Sequence, residues 1–213
     1  MIEPMVRQRV RIRFSKQGNL RFLGHHDFVR LVERLFRRAG VRAALSQGYH
    51  PKPRLAFPAA LAVGIEGRDE VMEVELADSM PVDELLDRLN SQAEEGLVFH
   101  SAEWMPAGSR KARAGGMVYR IAVPPQRKAS VQQKVAAILT STSYPVLRRH
   151  KGKTVDIRPL IDDLALDGDE LVMRLRIGDR GSIGPREILE ELDLADLESQ
   201  GAVLTRSEVE LVS

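Results

Sequence analysis

The chain has 213 residues, of which 43% are hydrophobic and 29% charged, with a formal net charge of +2 and no cysteine. This is the composition of a globular protein able to bury a sizeable core, which excludes a fibrous or disordered chain. Disulfides, zinc–thiolate centres, thiol catalysis and a self-held iron–sulfur cluster are excluded as well, and no apolar run reaches the roughly 18–20 residues that span a bilayer.

In chain order, Val10, Ile12 and Phe14 alternate with Arg9, Arg11 and Arg13, the period-two signature of a half-buried strand. This Arg-studded opening is unlike a signal-peptide core, and we expect a cytoplasmic protein with no membrane association. A helix follows. Phe28, Leu31, Val32, Leu35, Phe36 and Ala39 share one face, Arg30, Glu33, Arg34, Arg37 and Arg38 the other, and Gly40 stops it. Beyond a proline-rich loop come an apolar stretch, Leu55 to Ile65, and a strand in which Met72, Val74 and Leu76 alternate with Glu73 and Glu75. Pro81 fits the first helical position of a segment whose Val82, Leu85, Leu86 and Leu89 share a face, and Leu97 to Met105 closes the half as a strand.

The second half repeats the order. Met117–Val123 reads as a strand, and Val131, Val135, Ile138 and Leu139 mark a basic amphipathic helix. Strands near Val155–Ile161 and Leu171–Ile177 come next. A short helix opened by Pro185 and a closing strand, Val203–Val212, complete the half. We therefore expect an α+β protein of two tandem ferredoxin-like (β-α-β-β-α-β) modules, 1–106 and 117–213, joined by a small-residue, basic linker over 107–116.

Charge falls in blocks. Residues 1–54 hold 13 Lys and Arg against 3 Asp and Glu, and residues 55–105 hold 2 against 12. Residues 106–154 hold 11 basic residues and no carboxylate, and residues 155–213 hold 6 against 15. The alternation fits a polyanion-binding face, or two similar halves that are each basic first and acidic second. Arg9, Arg11 and Arg13 belong on the sheet face that the helices leave open. There they meet phosphate, or they form cross-strand ion pairs with Glu73 and Glu75.

The densest segment is Ser46-Gln47-Gly48-Tyr49-His50-Pro51-Lys52-Pro53-Arg54. Pro51 and Pro53 stiffen it and hold His50 and Lys52 extended, and Gly48 permits a tight turn. Tyr49 and His50 offer ring faces for an unpaired base, and Lys52 and Arg54 offer charge for phosphate. The plain alternative is a rigid crossover loop whose Tyr49 packs on the core. His25-His26-Asp27 opens the first helix, but adjacent helical residues point about 100° apart, so a shared metal ion is not expected. Gly24 or His25 serves as N-cap, with Asp27 well placed in the first turn. The segment from Lys16 to Phe22 sets a glycine turn beside two cations, where helix N-terminal amides can receive an anion, and it lacks the spacing of a nucleotide-triphosphate loop. Arg148-Arg149-His150-Lys151-Gly152-Lys153 reads as a basic hairpin tip, either a phosphate grip or a solvated turn.

Taken together, Phe14-Ser15-Lys16, Gly18, Leu20-Arg21-Phe22-Leu23, His26-Asp27, Arg30, Glu33-Arg34, Arg37-Arg38-Ala39-Gly40 and the Ser46–Arg54 segment resemble the signature of the radical-SAM-linked (radical-SAM-associated) domain family. Val155–Leu160 and Gly181–Leu189 are similar to it too, so the resemblance spans essentially the whole chain. One departure is Gly24, where serine is expected. The resemblance implies partnership with a radical SAM protein and a link to RNA or ribosome-related processes. At the level of fold alone, it is similar to tandem ferredoxin-like RNA-processing proteins of CRISPR systems.

The expected function is a non-enzymatic RNA-binding or substrate-presenting module, with no cofactor of its own. Arg11, Arg13, Lys16, Arg21, Arg30, Arg34, Arg37 and Arg38 are expected to contact phosphate, and Tyr49, His50, Lys52 and Arg54 to stack and grip. Two alternatives stand beside it. One is a protein-interaction adaptor that docks the radical SAM enzyme without RNA. The other is a metal-independent endoribonuclease using His50 or His26 as general acid or base.

Overall fold

A computed structural model describes residues 8–47, 49–148, 152–178 and 181–212. The chain is of mixed α+β character and divides into two compact units, Met1–Arg113 with Val212–Ser213, and Ala114–Leu211.

In the first unit, strand β1 (Gln8–Lys16) follows its alternation: Val10, Ile12 and Phe14 are buried and the arginines between them face the other way. It pairs antiparallel with β3 (Glu66–Leu76) on one side and β4 (Leu97–Trp104) on the other. The two-residue strand β2 (Leu55–Ala56) pairs along the far side of β3, giving the order β2-β3-β1-β4. Most of the expected apolar stretch after the loop is thus irregular chain and not strand. Helix α1 (His25–Arg38) buries Phe28, Leu31, Val32, Leu35 and Phe36 against the β1 and β3 side chains. Gly40, at a φ of +66°, ends it in the left-handed conformation that glycine adopts without strain. Helix α2 (Val82–Ser91) adds Leu85 and Leu89 to the core. Pro81 stands one position earlier than expected, as N-cap, in an extended conformation.

In the second unit, β5 (Arg113–Ala122) is followed by helix α3 (Lys128–Thr140), which buries Val131, Val135 and Ile138. A small hairpin comes next, β6 (Pro145–Arg148) with β7 (Lys153–Asp156). The strand expected over Val155–Ile161 is therefore corrected. Pro159 has no N–H to give a ladder, and Arg158–Leu160 forms a single 3₁₀ turn between β7 and β8 (Ile161–Asp167). β8 pairs with β9 (Glu170–Gly178), β9 pairs with β5, and β11 (Thr205–Val212) completes the order β8-β9-β5-β11. The short β10 (Gly181–Ser182) extends the β9 edge, and helix α4 (Pro185–Glu191) packs Ile188 and Leu189 inside. None of the helices among the described residues is long and apolar enough to cross a membrane.

Candidate nucleic-acid interface

The block alternation of charge resolves largely into pairing within each unit. On β1, Arg11 bonds Glu73 on β3 at 3.0 Å and Glu103 on β4 at 3.1 Å. Arg9 lies 3.7 Å from the same Glu73 and donates to the Ser109 carbonyl and hydroxyl, and Arg13 pairs with Asp69. Carboxylates on both neighbouring strands, more than Glu73 and Glu75 alone, answer the arginine face. Arg21 reaches Glu66 at 3.4 Å, Arg38 reaches Glu94 at 2.8 Å and Arg54 reaches Glu75 at 3.1 Å. Lys16 is buried, donates to the Leu23 carbonyl at 2.8 Å and lies 5.0 Å from the Phe28 ring centre. The second unit shows the same pattern. Arg127 pairs with Asp196, Lys128 with Asp169, Lys134 with Asp193, and Arg148 with Glu187.

Four expected contact residues stand apart from this pairing. Arg34, Arg37 and Lys52 are exposed and have no carboxylate partner among the described residues, and Arg30 has only Asp27 one turn away at 3.6 Å, both side chains well solvated. A pair so exposed contributes little and leaves Arg30 available. His26, Arg30, Glu33 and Arg37 recur three or four residues apart on α1, so they form one stripe along the helix. That stripe and the Pro51-Lys52-Pro53 segment line one groove of about 510 Å³. Arg34 and Arg38 are on α1 but outside the lining of this groove.

The loop that supplies Lys52 is braced. The Ser46 N–H donates to the Lys52 carbonyl at 2.8 Å, the Lys52 N–H donates to the Ser46 hydroxyl at 3.0 Å, and the Arg54 N–H donates to the Ala44 carbonyl at 2.8 Å. These bonds tie 44–46 against 52–54. The loop is tied to β3, where the Ala44 N–H donates to the Glu75 carbonyl and the Glu75 N–H to the Arg54 carbonyl. Between the two stretches Tyr49 is 95% exposed, with its ring 5.3 Å from that of His50 and edge-on to it. The packed-tyrosine alternative is thereby excluded. Gly48, the glycine expected to permit the turn, lies outside the described residues. So do Arg149, His150 and Lys151 of the expected basic hairpin tip.

The histidines divide. His25 packs edge-on against Phe57 at 5.5 Å, and its pKa falls below the ordinary value because of burial first and then the charges of His26 and Lys16. His26 and His50 are exposed, and no carboxylate or hydroxyl among the described residues hydrogen-bonds either ring. Neither therefore has the orienting partner that general acid–base work uses. Among the described residues, no group of three or more His, Asp or Glu side chains is arranged to hold a metal ion.

Continuous with the basic groove is an apolar chamber that sequence reasoning missed. It has a volume of about 460 Å³ and shares Glu33, Arg37, Pro51 and Pro53 with the groove. Its walls include Phe36, Val41, Leu45 and Leu55. The only signal for it in the sequence was Leu45, an apolar residue just ahead of the proline-rich loop.

Across 97% of this chain and 99% of the other, the chain is matched to a solved structure titled "Crystal Structure of an Unknown Protein from Galdieria sulphuraria", at 13% identity and a TM-score of 0.28. So slight a likeness carries no argument. No curated protein matches the chain. The bacterial family described as "Uncharacterized protein conserved in bacteria (DUF2344)" matches residues 9–185, which include β1, α1, the proline-rich loop and most of the second unit, and the chain belongs to that family.

Proposed function

We propose that this chain is a non-enzymatic RNA-binding module that presents RNA, or a substrate attached to it, to a radical SAM partner, and that the groove between α1 and the proline-rich loop is its contact surface. The observation that carries the reading is the convergence of Arg30, Arg37 and His26 from the helix with Lys52 from the braced loop on one groove. Most of the other cations expected to meet phosphate are committed to carboxylates. Cations without intramolecular partners are those free to exchange condensed counterions for phosphate. Tyr49 adds a solvent-exposed ring on which a base can stack.

The strand orders β2-β3-β1-β4 and β8-β9-β5-β11, with a helix after the first and third strand of each, support reading both units as ferredoxin-like. The radical SAM partnership rests on the motif resemblance. With no cysteine here, any thiolate-held cluster belongs to the partner. Fluorescence anisotropy of labelled single-stranded RNA at low and high salt tests the binding reading. Affinity that falls steeply with salt supports it, and weak affinity indifferent to salt contradicts it. Co-purification with a radical SAM protein from the same cells tests the partnership.

A further inference from the structure

The groove is not a uniform phosphate track. Arg30 and Lys52 line one end with His26 beside them, and Arg37 lines both the groove and the space that continues it. At the junction stands Glu33, a carboxylate with no ion-pair or hydrogen-bond partner among the described residues. Beyond it the walls are mostly apolar, with Phe36, Val41 and Leu45 around a space of about 460 Å³ whose rim holds Arg37 and the Asp78-paired Arg42. A phosphate backbone lying along the whole groove would meet an unpaired carboxylate midway and an oily surface after it, both unfavourable. A ligand that matches the whole length is anionic at one end, offers N–H donors in the middle, and is flat and weakly polar over the rest.

A single nucleotide of an unpaired strand has this order of properties. We propose that the groove captures one splayed-out nucleotide. Its phosphate lies against Arg30 and Lys52, its base enters the apolar chamber, and Glu33 accepts hydrogen bonds from an amino group on the base edge. This deepens the RNA-binding reading and rests on it: the substrate class becomes single-stranded RNA, read at one base that carries an exocyclic amine. Adenine, cytosine and guanine carry such an amine, whereas uracil carries none and flanks its single ring N–H with two carbonyl oxygens that a carboxylate repels. A base held in a duplex cannot enter, because pairing occupies that edge and stacking holds the ring in the helix. At about 460 Å³ the chamber exceeds the volume of one base.

The test is anisotropy with short labelled oligoadenylate, oligocytidylate, oligouridylate and an RNA duplex, on the full chain and two variants. The expected results are binding of the adenylate and cytidylate about tenfold tighter than the uridylate or the duplex, the scale of one stacked, hydrogen-bonded base. Glu33→Gln should collapse that preference, because an amide can donate to a carbonyl as readily as it accepts. Ala43→Phe, which fills the chamber from its wall, should reduce adenylate binding to the uridylate level. Glu33 is a partly exposed helix-surface residue, so its variant reports even if the filled chamber disturbs folding. Equal binding of all four RNAs, with neither variant altering it, overturns this inference and leaves the RNA-binding reading intact. No binding to any RNA overturns both.

Discussion

Arg11 stands directly across the β1–β3 ladder from Glu73 and donates to a single carboxylate oxygen from both Nε, at 3.2 Å, and Nη2, at 3.0 Å. The Glu73 side chain is only 3% exposed, and its other oxygen accepts from the Ala112 N–H at 3.2 Å. An arginine that reads in the sequence as a phosphate contact is, in the fold, the partner that makes a buried carboxylate tolerable. Charge on the open face is organised across strands before any ligand arrives.

Glu73→Gln should therefore destabilise the protein by about 2–4 kcal/mol, since it leaves Arg9 and Arg11 partly desolvated without their shared anion. Chemical denaturation read by circular dichroism checks it. A change under about 0.5 kcal/mol, the range of an ordinary surface substitution, contradicts this view of the pair.

Tyr49→Ala should weaken single-stranded RNA binding several-fold without changing how steeply affinity depends on salt. An exposed ring contributes stacking, about 1–3 kcal/mol per base, and no counterion release. Anisotropy titrations at three salt concentrations separate the two quantities. An altered slope would show that the loop tip acts through charge.

His25 gives the first unit a pH dependence of definite sign. Its folded-state pKa lies below the ordinary 6.5, with burial as the main cause. The unfolded chain then binds the proton more readily than the folded one. Stability is complete above about pH 6.5 and is lost as pH falls from there toward the lowered folded value. His25→Gln should flatten that part of the stability profile, as thermal melts across the window will show. A profile unchanged by the substitution contradicts the assignment.

Gly96, at a φ of +87°, lies where a Cβ would run into the Gln17 carbonyl oxygen, beside the bond from the Gln17 N–H to the Gly96 carbonyl at 2.8 Å. Gly96→Ala should cost about 2–4 kcal/mol, combining positive-φ strain with the clash. Equilibrium unfolding measures it, and a neutral result would mean that the turn relaxes freely.

Much of the first unit was legible in the sequence. The alternation of Val10, Ile12 and Phe14 and the spacing of Phe28, Leu31, Val32, Leu35 and Phe36 are strong local patterns, and each element buries the residues its period dictates. The hairpin of β6 and β7 and the strand β8 were not. In β8 the acidic pair Asp162-Asp163 interrupts the alternation around Leu164, and a register irregularity between Ile161 and Asp163 breaks the period. The site was half legible. Residue types and loop stiffness pointed to the proline-rich segment, but which cations remain unpaired depends on strand register. Arg13 stands opposite Val71 and reaches Asp69 diagonally, two residues along β3, beside a register irregularity between Phe14 and Lys16. The apolar chamber arises from the packing of that loop beside α1 and leaves no periodic trace.

In the proposed function RNA is held by the unpaired cations of the α1–loop groove and not by the arginines committed to carboxylates. The most direct measurement is the salt dependence of single-stranded RNA affinity for two variants of equal charge removal, Arg37→Gln with Lys52→Gln, and Arg13→Gln with Arg38→Gln. The groove variant should lower the logarithmic salt slope by about 0.7 for each phosphate that is no longer neutralised, about 1.4 for the pair, while the paired-arginine variant should leave it unchanged. Equal reductions in slope from both variants, or a larger reduction from the paired arginines, would contradict it.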